Sequence, residues 1–387
     1  MNDAFCVLAW IGLHINPDGD VYPCCVSDHT MPYGNIHKDN SVEQIFRGKE
    51  FTNVRKMMLA GKKPPQCNNC YRDESQTGRS ARIDFNESYK KEIKGIKIPV
   101  SGKKRIRMLD IRFSNICNMK CRTCGPGFSS LWAQEERSLG KEEYSYVQIT
   151  KQSLDEILEL LPTVDHIYFA GGEPLIMDEH YKILEEIQRL GLAKKIHIRY
   201  SSNLSNIQYK KKDLLDLWKG FNLIDFSASL DHYGERAEYI RHGTNWGTIE
   251  ENIKKFQSVE NLSLNISTTI SVFNFVTYHD FFDYMKEHIQ NVDYLQCYPL
   301  TTPEHFSATV LPVNLKSQGV INLMKLGNNK KFKKFKEESK RIIAHAKSAN
   351  AWNTYKKDFQ KEITLRDKIR GEDFCKTFPE LKEMLDA

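Results

Sequence analysis

The sequence predicts an α/β protein: a six-stranded parallel sheet with crossover helices, behind a small cysteine-rich α+β module and ahead of a helical tail. Three observations carry this. Between residues 106 and 312, short β-branched and aromatic runs alternate with amphipathic stretches, the pattern of strands joined by crossover helices. Five of the ten cysteines fall in the first 70 residues, around a turn and a helical run. Beyond residue 313 the chain has helical spacing and no strand pattern.

In residues 1–85, "IGLHINPDGDVYPCC" places Ile11, Leu13 and Ile15 in alternation, turns at Pro17-Asp18-Gly19 and returns through Val21, as a hairpin does. "SVEQIFRGKEFTNVRKMMLAG" comes next with helical spacing, Ser41 as N-cap and an end near Gly61. Residues 86–105 are Lys-rich and poor in large apolar residues, a linker. The six strands are "RMLDIRFSN", "DHIYFAGG", "KKIHIRYSSN", "LIDFSASL", "LSLNISTTISV" and "VDYLQCYPL". Helices such as "MDEHYKILEEIQRLG" and "WGTIEENIKKFQ" connect them, so the sheet is parallel, open or curled into part of a barrel. Residues 313–387 form the helical extension, including the basic stretch "NNKKFKKFKEESKRIIAHAK", which reads as a solvated helix face.

Composition narrows the class. At 387 residues the chain is long enough for more than one compact unit or one large α/β domain with an attachment. A net charge of +6 permits an acidic partner without arguing for one. No apolar run approaches the roughly 20 residues of a membrane span. The opening "AFCVLAWIGLHI" lacks a basic n-region, since Asn2 and Asp3 stand there, and reads as a strand. A cytoplasmic location is expected, and clustered cysteines in a reducing compartment read as metal sites.

Cys117, Cys121 and Cys124 form a C-x3-C-x2-C group directly after the first predicted strand of the sheet, and ligand sites form at carboxyl ends of parallel strands. Three thiolates can hold three irons of a [4Fe–4S] cluster and leave one open. A zinc site would need a fourth ligand, and the next His or Cys in sequence is His166. Upstream, Cys6, Gly19 and Cys24 are spaced C-x12-G-x4-C, and Cys67-x2-Cys70 completes a set of four. By spacing alone that set is a zinc-ribbon pattern or a cluster site.

The three-cysteine spacing resembles the signature of the radical S-adenosylmethionine (radical SAM) superfamily, whose members share a partial (β/α)6 TIM-like barrel. "AGGEP", with Gly171, Gly172, Glu173 and Pro174, resembles the family's glycine-rich motif beside the cofactor's amino group. "SSNLS" around Asn203 is similar to its third-strand segment, and "SLD" from Ser229 to its fourth. Arg241 in "YIRHG" is similar to the arginine set against the cofactor's carboxylate. The resemblance implies two [4Fe–4S] clusters, S-adenosylmethionine and an electron donor such as flavodoxin or ferredoxin. Cys117, Cys121 and Cys124 would hold the first cluster. Cys6, Cys24, Cys67 and Cys70 resemble a SPASM/twitch auxiliary domain, which implies that they close a second cluster with no open iron. Such a cluster points to electron transfer rather than substrate ligation.

The chain departs from the pattern in three places. Thr123 stands where an aromatic usually precedes the third cysteine, and His232, read as a surface-loop residue, where a glycine follows "SLD". The auxiliary domain precedes the barrel instead of following it. Cys25 is expected as a packed thiol on the strand face opposite Cys24.

The expected divisions are 1–85 auxiliary domain, 86–105 linker, 106–312 barrel and 313–387 extension. Cys297 and Asp231 are candidates to steer the chemistry, with Glu235 and His305 as further acid–base groups, and Cys375 is expected to pack. The expected reaction is hydrogen abstraction from a peptide or protein. A dehydrogenase or epimerase acting on a sugar or other small molecule is the alternative. A non-catalytic zinc- or nucleic-acid-binding protein is the rival from another class; nucleic acid and membrane are not expected as partners.

Overall fold

A computed structural model of the chain describes residues 2–38, 41–90, 105–141, 147–289, 292–327 and 335–386. Most of the expected linker, and residues 328–334 of the basic stretch, therefore lie outside the described residues. Twelve strands are described: β1 Gly12–Ile15, β2 Val21–Tyr22, β3 Met108–Arg112, β4 Lys120–Cys121, β5 His166–Ala170, β6 His197–Ser202, β7 Gln208–Tyr209, β8 Lys212–Asp213, β9 Ile224–Ser229, β10 Arg241–His242, β11 Leu262–Ile270 and β12 Val292–Pro299. All six strands expected for the parallel sheet are among them. By contact the chain divides into one unit of residues 1–116, 145–201 and 208–224, and a second of residues 117–144, 202–207 and 225–387.

In the first unit the strand order is β6-β5-β3-β1-β2, parallel except for the β1–β2 hairpin. The hairpin thus continues the main sheet: β1 runs parallel to β3, with Leu13 opposite Leu109 and Ile15 opposite Ile111. Strand alternation sorts the faces. Leu109, Ile111, Ile167, Phe169, Ile198 and Tyr200 are buried on one face, each contributing about 1.5–3 kcal/mol. Asp110, Arg112, Tyr168 and Arg199 occupy the other, three of them half-buried. Helix Asp178–Arg189 buries Tyr181, Ile183, Leu184 and Ile187, one stripe at helical spacing.

Two expectations at the N-terminal end are corrected. Only residues 12–15 of this run are extended; Leu8–Ile11 is a short helix that ends at Gly12, where the backbone becomes extended (φ −95°, ψ 145°) and a Cβ would sit 2.6 Å from the Pro23 carbonyl oxygen. The run from Ser41 to Gly61 is two helices, Val42–Arg47 and Lys49–Leu59, parted at Gly48. The Ser41 cap is present as a full capping box with Gln44, which satisfies two otherwise unbonded N–H groups. Arg55, fully buried, donates to the carbonyls of Ala9 (2.6 Å) and Phe46 (2.9 Å), tying the first helix to the second pair.

In the second unit the order is β12-β11-β9, and β10 pairs antiparallel with β4. β11 and β12 are parallel, with an irregularity at Leu264/Asn265. The extension is helical as expected: Val313–Gly327, Phe335–Lys347 and Trp352–Arg370, the last stopped by Gly371 in the left-handed region (φ 66°).

Candidate cluster and cofactor site

The three-cysteine segment of the second unit is held by its backbone. The Cys124 N–H donates to the Cys121 carbonyl (3.0 Å), and the Cys117 N–H to the Ser130 hydroxyl (3.3 Å). Ser129 caps the helix Ser130–Ser138 and donates to the Met119 carbonyl (2.7 Å), while the Trp132 indole N–H donates to the Cys121 carbonyl (2.7 Å). Asn203 donates to Asn118 (2.9 Å), and Asn118 in turn to Ser205 (2.8 Å), so the "SSNLS" segment suspends the residue after Cys117. Gly243, at φ 103°, lets the chain pass where a Cβ would lie 2.8 Å from the Asn118 carbonyl.

Strand pairing sets Arg241 opposite Cys121. The guanidinium lies 3.9 Å from the Cys121 thiol and 2.8 Å from the Asp231 carboxylate. Asp231 is fully buried, and its other oxygen accepts from the Thr269 N–H (2.8 Å). Burial pushes the Cys121 thiol up to about 12 while Arg241 pulls it down; burial also raises Cys124. A thiol must lose its proton to bind iron, so the fixed cation beside Cys121 favours the bound thiolate against the cost of burial. Ser229 is half-buried at the end of β9.

The glycine-rich motif comes after β5 in the first unit. Gly171 has φ 122°. A Cβ on Gly172 would sit 2.0 Å from the Ile116 carbonyl, to which the Glu173 N–H donates (2.7 Å). Glu173 is buried and accepts from the Leu175 N–H (3.1 Å); Pro174 opens a 3-10 turn. The motif is thus clasped against the residue preceding Cys117.

The first unit also gathers Cys6, Cys24, Cys67 and Cys70. All four thiols are raised by burial, and Cys6 is raised further by its neighbours Cys24, Cys67 and Cys70; Cys67 reaches about 12 and Cys70 about 11. Long-range bonds bring these segments together. Asp28 N–H donates to the Gln66 carbonyl (2.9 Å), Asn69 to Val26 (3.0 Å), and Tyr71 to Ala4 (2.8 Å). Helix Ala81–Ser88 adds Arg82 on the Phe5 carbonyl (2.7 Å) and Asn86 on the Val7 N–H (2.8 Å).

Among the described residues no disulfide joins the cysteines. No group of three or more His, Cys, Asp or Glu side chains there converges on a single ion. A [4Fe–4S] cluster takes each thiolate at a different iron, and the all-thiolate donor sets of both groups fit one by donor type.

Several candidates stand elsewhere. Cys25 is exposed as a residue while its thiol bonds the buried Asp110; it does not sit on a strand face opposite Cys24, because β2 ends at Tyr22 and both cysteines lie beyond it. His232 is buried against Thr277 and Phe281 instead of on the surface, and burial lowers its pKa to about 3. Cys297 is fully buried, its thiol against the Tyr278 hydroxyl (3.2 Å), and burial raises it to about 12. Glu235 is exposed, His305 sits half-buried against Phe306, and Cys375 is half-buried. Asn118, Trp132 and the tail residues that reach the cysteine segment carry no local sequence signal. Ser129, a Ser directly before a helical run, does.

Residues 111–287 match the radical SAM superfamily, and residues 6–71 match SPASM, an iron–sulfur cluster-binding domain. Molybdenum cofactor biosynthesis protein 1 of Dictyostelium discoideum is 24% identical over 162 residues, 42% of this chain and 24% of that protein. The 7,8-dihydro-6-hydroxymethylpterin dimethyltransferase of Methanocaldococcus jannaschii is 27% identical over 161 residues, 39% of this chain and 29% of that protein. The chain therefore spans about a quarter of these curated relatives. Among solved structures, anSMEcpe with bound AdoMet and Kp18Cys peptide superposes with a TM-score of 0.42 at 20% identity, over 60% of this chain and 62% of that one. Streptococcus suis SuiB bound to S-adenosylmethionine gives 0.38 at 14%, over 76% and 63%. Among the described residues no helix is long and apolar enough to cross a membrane.

Proposed function

We propose that this chain, a radical SAM superfamily protein with an iron–sulfur cluster-binding domain toward its N-terminal end, reductively cleaves S-adenosylmethionine and abstracts a hydrogen atom from a peptide or protein side chain. The observation that supports this reading most is the pairing of β4 with β10, which sets Arg241, ion-paired to Asp231, against the Cys121 thiol. When bound, a cluster with one open iron and S-adenosylmethionine supply an electron and a 5'-deoxyadenosyl radical. The residues here do the rest. Cys117, Cys121 and Cys124 would hold the first cluster, and Arg241, oriented by Asp231, would be the cation for the cofactor's carboxylate. By their likeness to the family's glycine-rich motif, Gly171, Gly172, Glu173 and Pro174 would serve the cofactor's amino group, and Asn203 and Ser229 would hold strand-end positions. Cys6, Cys24, Cys67 and Cys70 would hold an auxiliary cluster, and a flavodoxin or ferredoxin would deliver the electron.

The test is anaerobic reconstitution with reductant and S-adenosylmethionine. About eight irons per chain and 5'-deoxyadenosine are expected for two four-iron clusters. About two zinc ions, no sulfide and no 5'-deoxyadenosine would sink the reading. For substrate class, a uniformly deuterated peptide mixture is expected to pass deuterium into the 5'-deoxyadenosine. Deuterium arriving only from deuterated sugars or pterins favours the second reading, a small-molecule enzyme, toward which the names of the two curated relatives point.

A further inference from the structure

The helical extension carries the charges that grip the three-cysteine segment. Arg122, next to Cys121, has a fully buried side chain, and its guanidinium meets Asp367 and Glu372 at 2.5 Å each. It also lies 3.8 Å over the Tyr239 ring, and the Tyr239 hydroxyl donates to Asp367 (2.7 Å). Arg370 donates to the Lys120 carbonyl (3.0 Å). Arg366 and Arg370 also pair with Glu135 (2.7 and 2.9 Å) and flank the Trp132 ring that bonds the Cys121 carbonyl.

One carboxylate reaches both strands. Glu372 takes Arg122 on one oxygen and His242 Nδ1 on the other (2.6 Å). Arg122 comes directly after Cys121 on the β4 side, and His242 directly after Arg241 on β10. A ladder of two residues per strand has little to hold its own register, and a one-residue slip turns a side chain to the opposite face. Register here decides whether Arg241 meets the Cys121 thiol.

We propose that Glu372, with Asp367 and Arg370, is a positioning residue: the C-terminal segment locks β4 against β10 and so keeps Arg241 on Cys121. This rests on the reading of that loop as the site of the first cluster and its cofactor.

The experiment uses the reconstituted full chain and S-adenosylmethionine as the probe, reading iron content, Kd and the low-temperature EPR signal of the reduced cluster with and without the probe. The comparison is Glu372→Ala against Glu380→Ala. Glu380 pairs with Arg236 (2.6 Å) in the same tail and controls for loss of tail packing. Expected is a Kd at least tenfold weaker and an altered probe-induced EPR shift in Glu372→Ala, with Glu380→Ala within twofold of the parent. If Glu372→Ala also lies within twofold, or Glu380→Ala shows the same loss, positioning is refuted. Should Glu372→Ala fail to hold iron, Glu372→Gln decides. Iron retained with weakened affinity supports positioning, and parental affinity overturns it. A parent protein with no cluster signal and no probe binding fails differently: it removes the proposed function, and this inference with it.

Discussion

Gly172 stands where a methyl group would come 2.0 Å from a backbone carbonyl that cannot move aside without breaking its bond to Glu173. Gly172→Ala is expected to cost about 1–3 kcal/mol or more by overpacking. Gly127→Ala, with open space around it, is expected to stay within about 0.5 kcal/mol. Denaturant midpoints of the two variants check this. Asp231 poses the opposite case, a buried charge whose partner is fixed. Asp231→Asn leaves the Arg241 guanidinium buried without its counter-charge and is expected to cost about 3–5 kcal/mol. An Asn variant as stable as the parent would show that Arg241 finds another partner. The glycine was legible from its motif. The Asp231–Arg241 pair was not, since nothing in two residues ten positions apart says that they meet.

The short helix after the cysteine segment shows how an element transmits position. Ser129 both caps Ser130–Ser138 and bonds the Met119 carbonyl, so its hydroxyl anchors the helix and the loop together. Ser129→Ala is expected to lose about 2 kcal/mol, the cap plus an unsatisfied buried carbonyl, read as a fall in thermal midpoint. The cap was visible as a Ser before a helical run, but its second bond was not. The same division holds for the N-terminal hairpin. Alternation at Leu13 and Ile15 predicts a strand, whereas its parallel pairing with β3 depends on residues about 96 positions away in sequence coming into register. The expected alternation of Cys24 and Cys25 on opposite strand faces failed for a local reason: β2 is two residues long, too short to impose alternation on the residues beyond it.

At the scale of the molecule, the two cysteine sets fall in different contact units: Cys6, Cys24, Cys67 and Cys70 in one, Cys117, Cys121 and Cys124 in the other. Separate sites are therefore expected to load separately. Cys67→Ala should lose about half the iron and retain cofactor cleavage, while Cys124→Ala should abolish cleavage and keep the auxiliary iron. Loss of all iron from Cys67→Ala would refute independent clusters. What the sequence determined by itself is the donor set: thiol spacing, glycine motif and the succession of strands along the chain are local properties, readable because donors and turns must sit close along the chain. What only the tertiary structure decided is how those donors are held. The bonds from Asp367, Arg370 and Glu372 to the cysteine segment join residues some 245–250 positions apart. Ion pairs across such distances leave no periodicity in sequence, because a buried charge is satisfied by whichever partner the fold delivers to it.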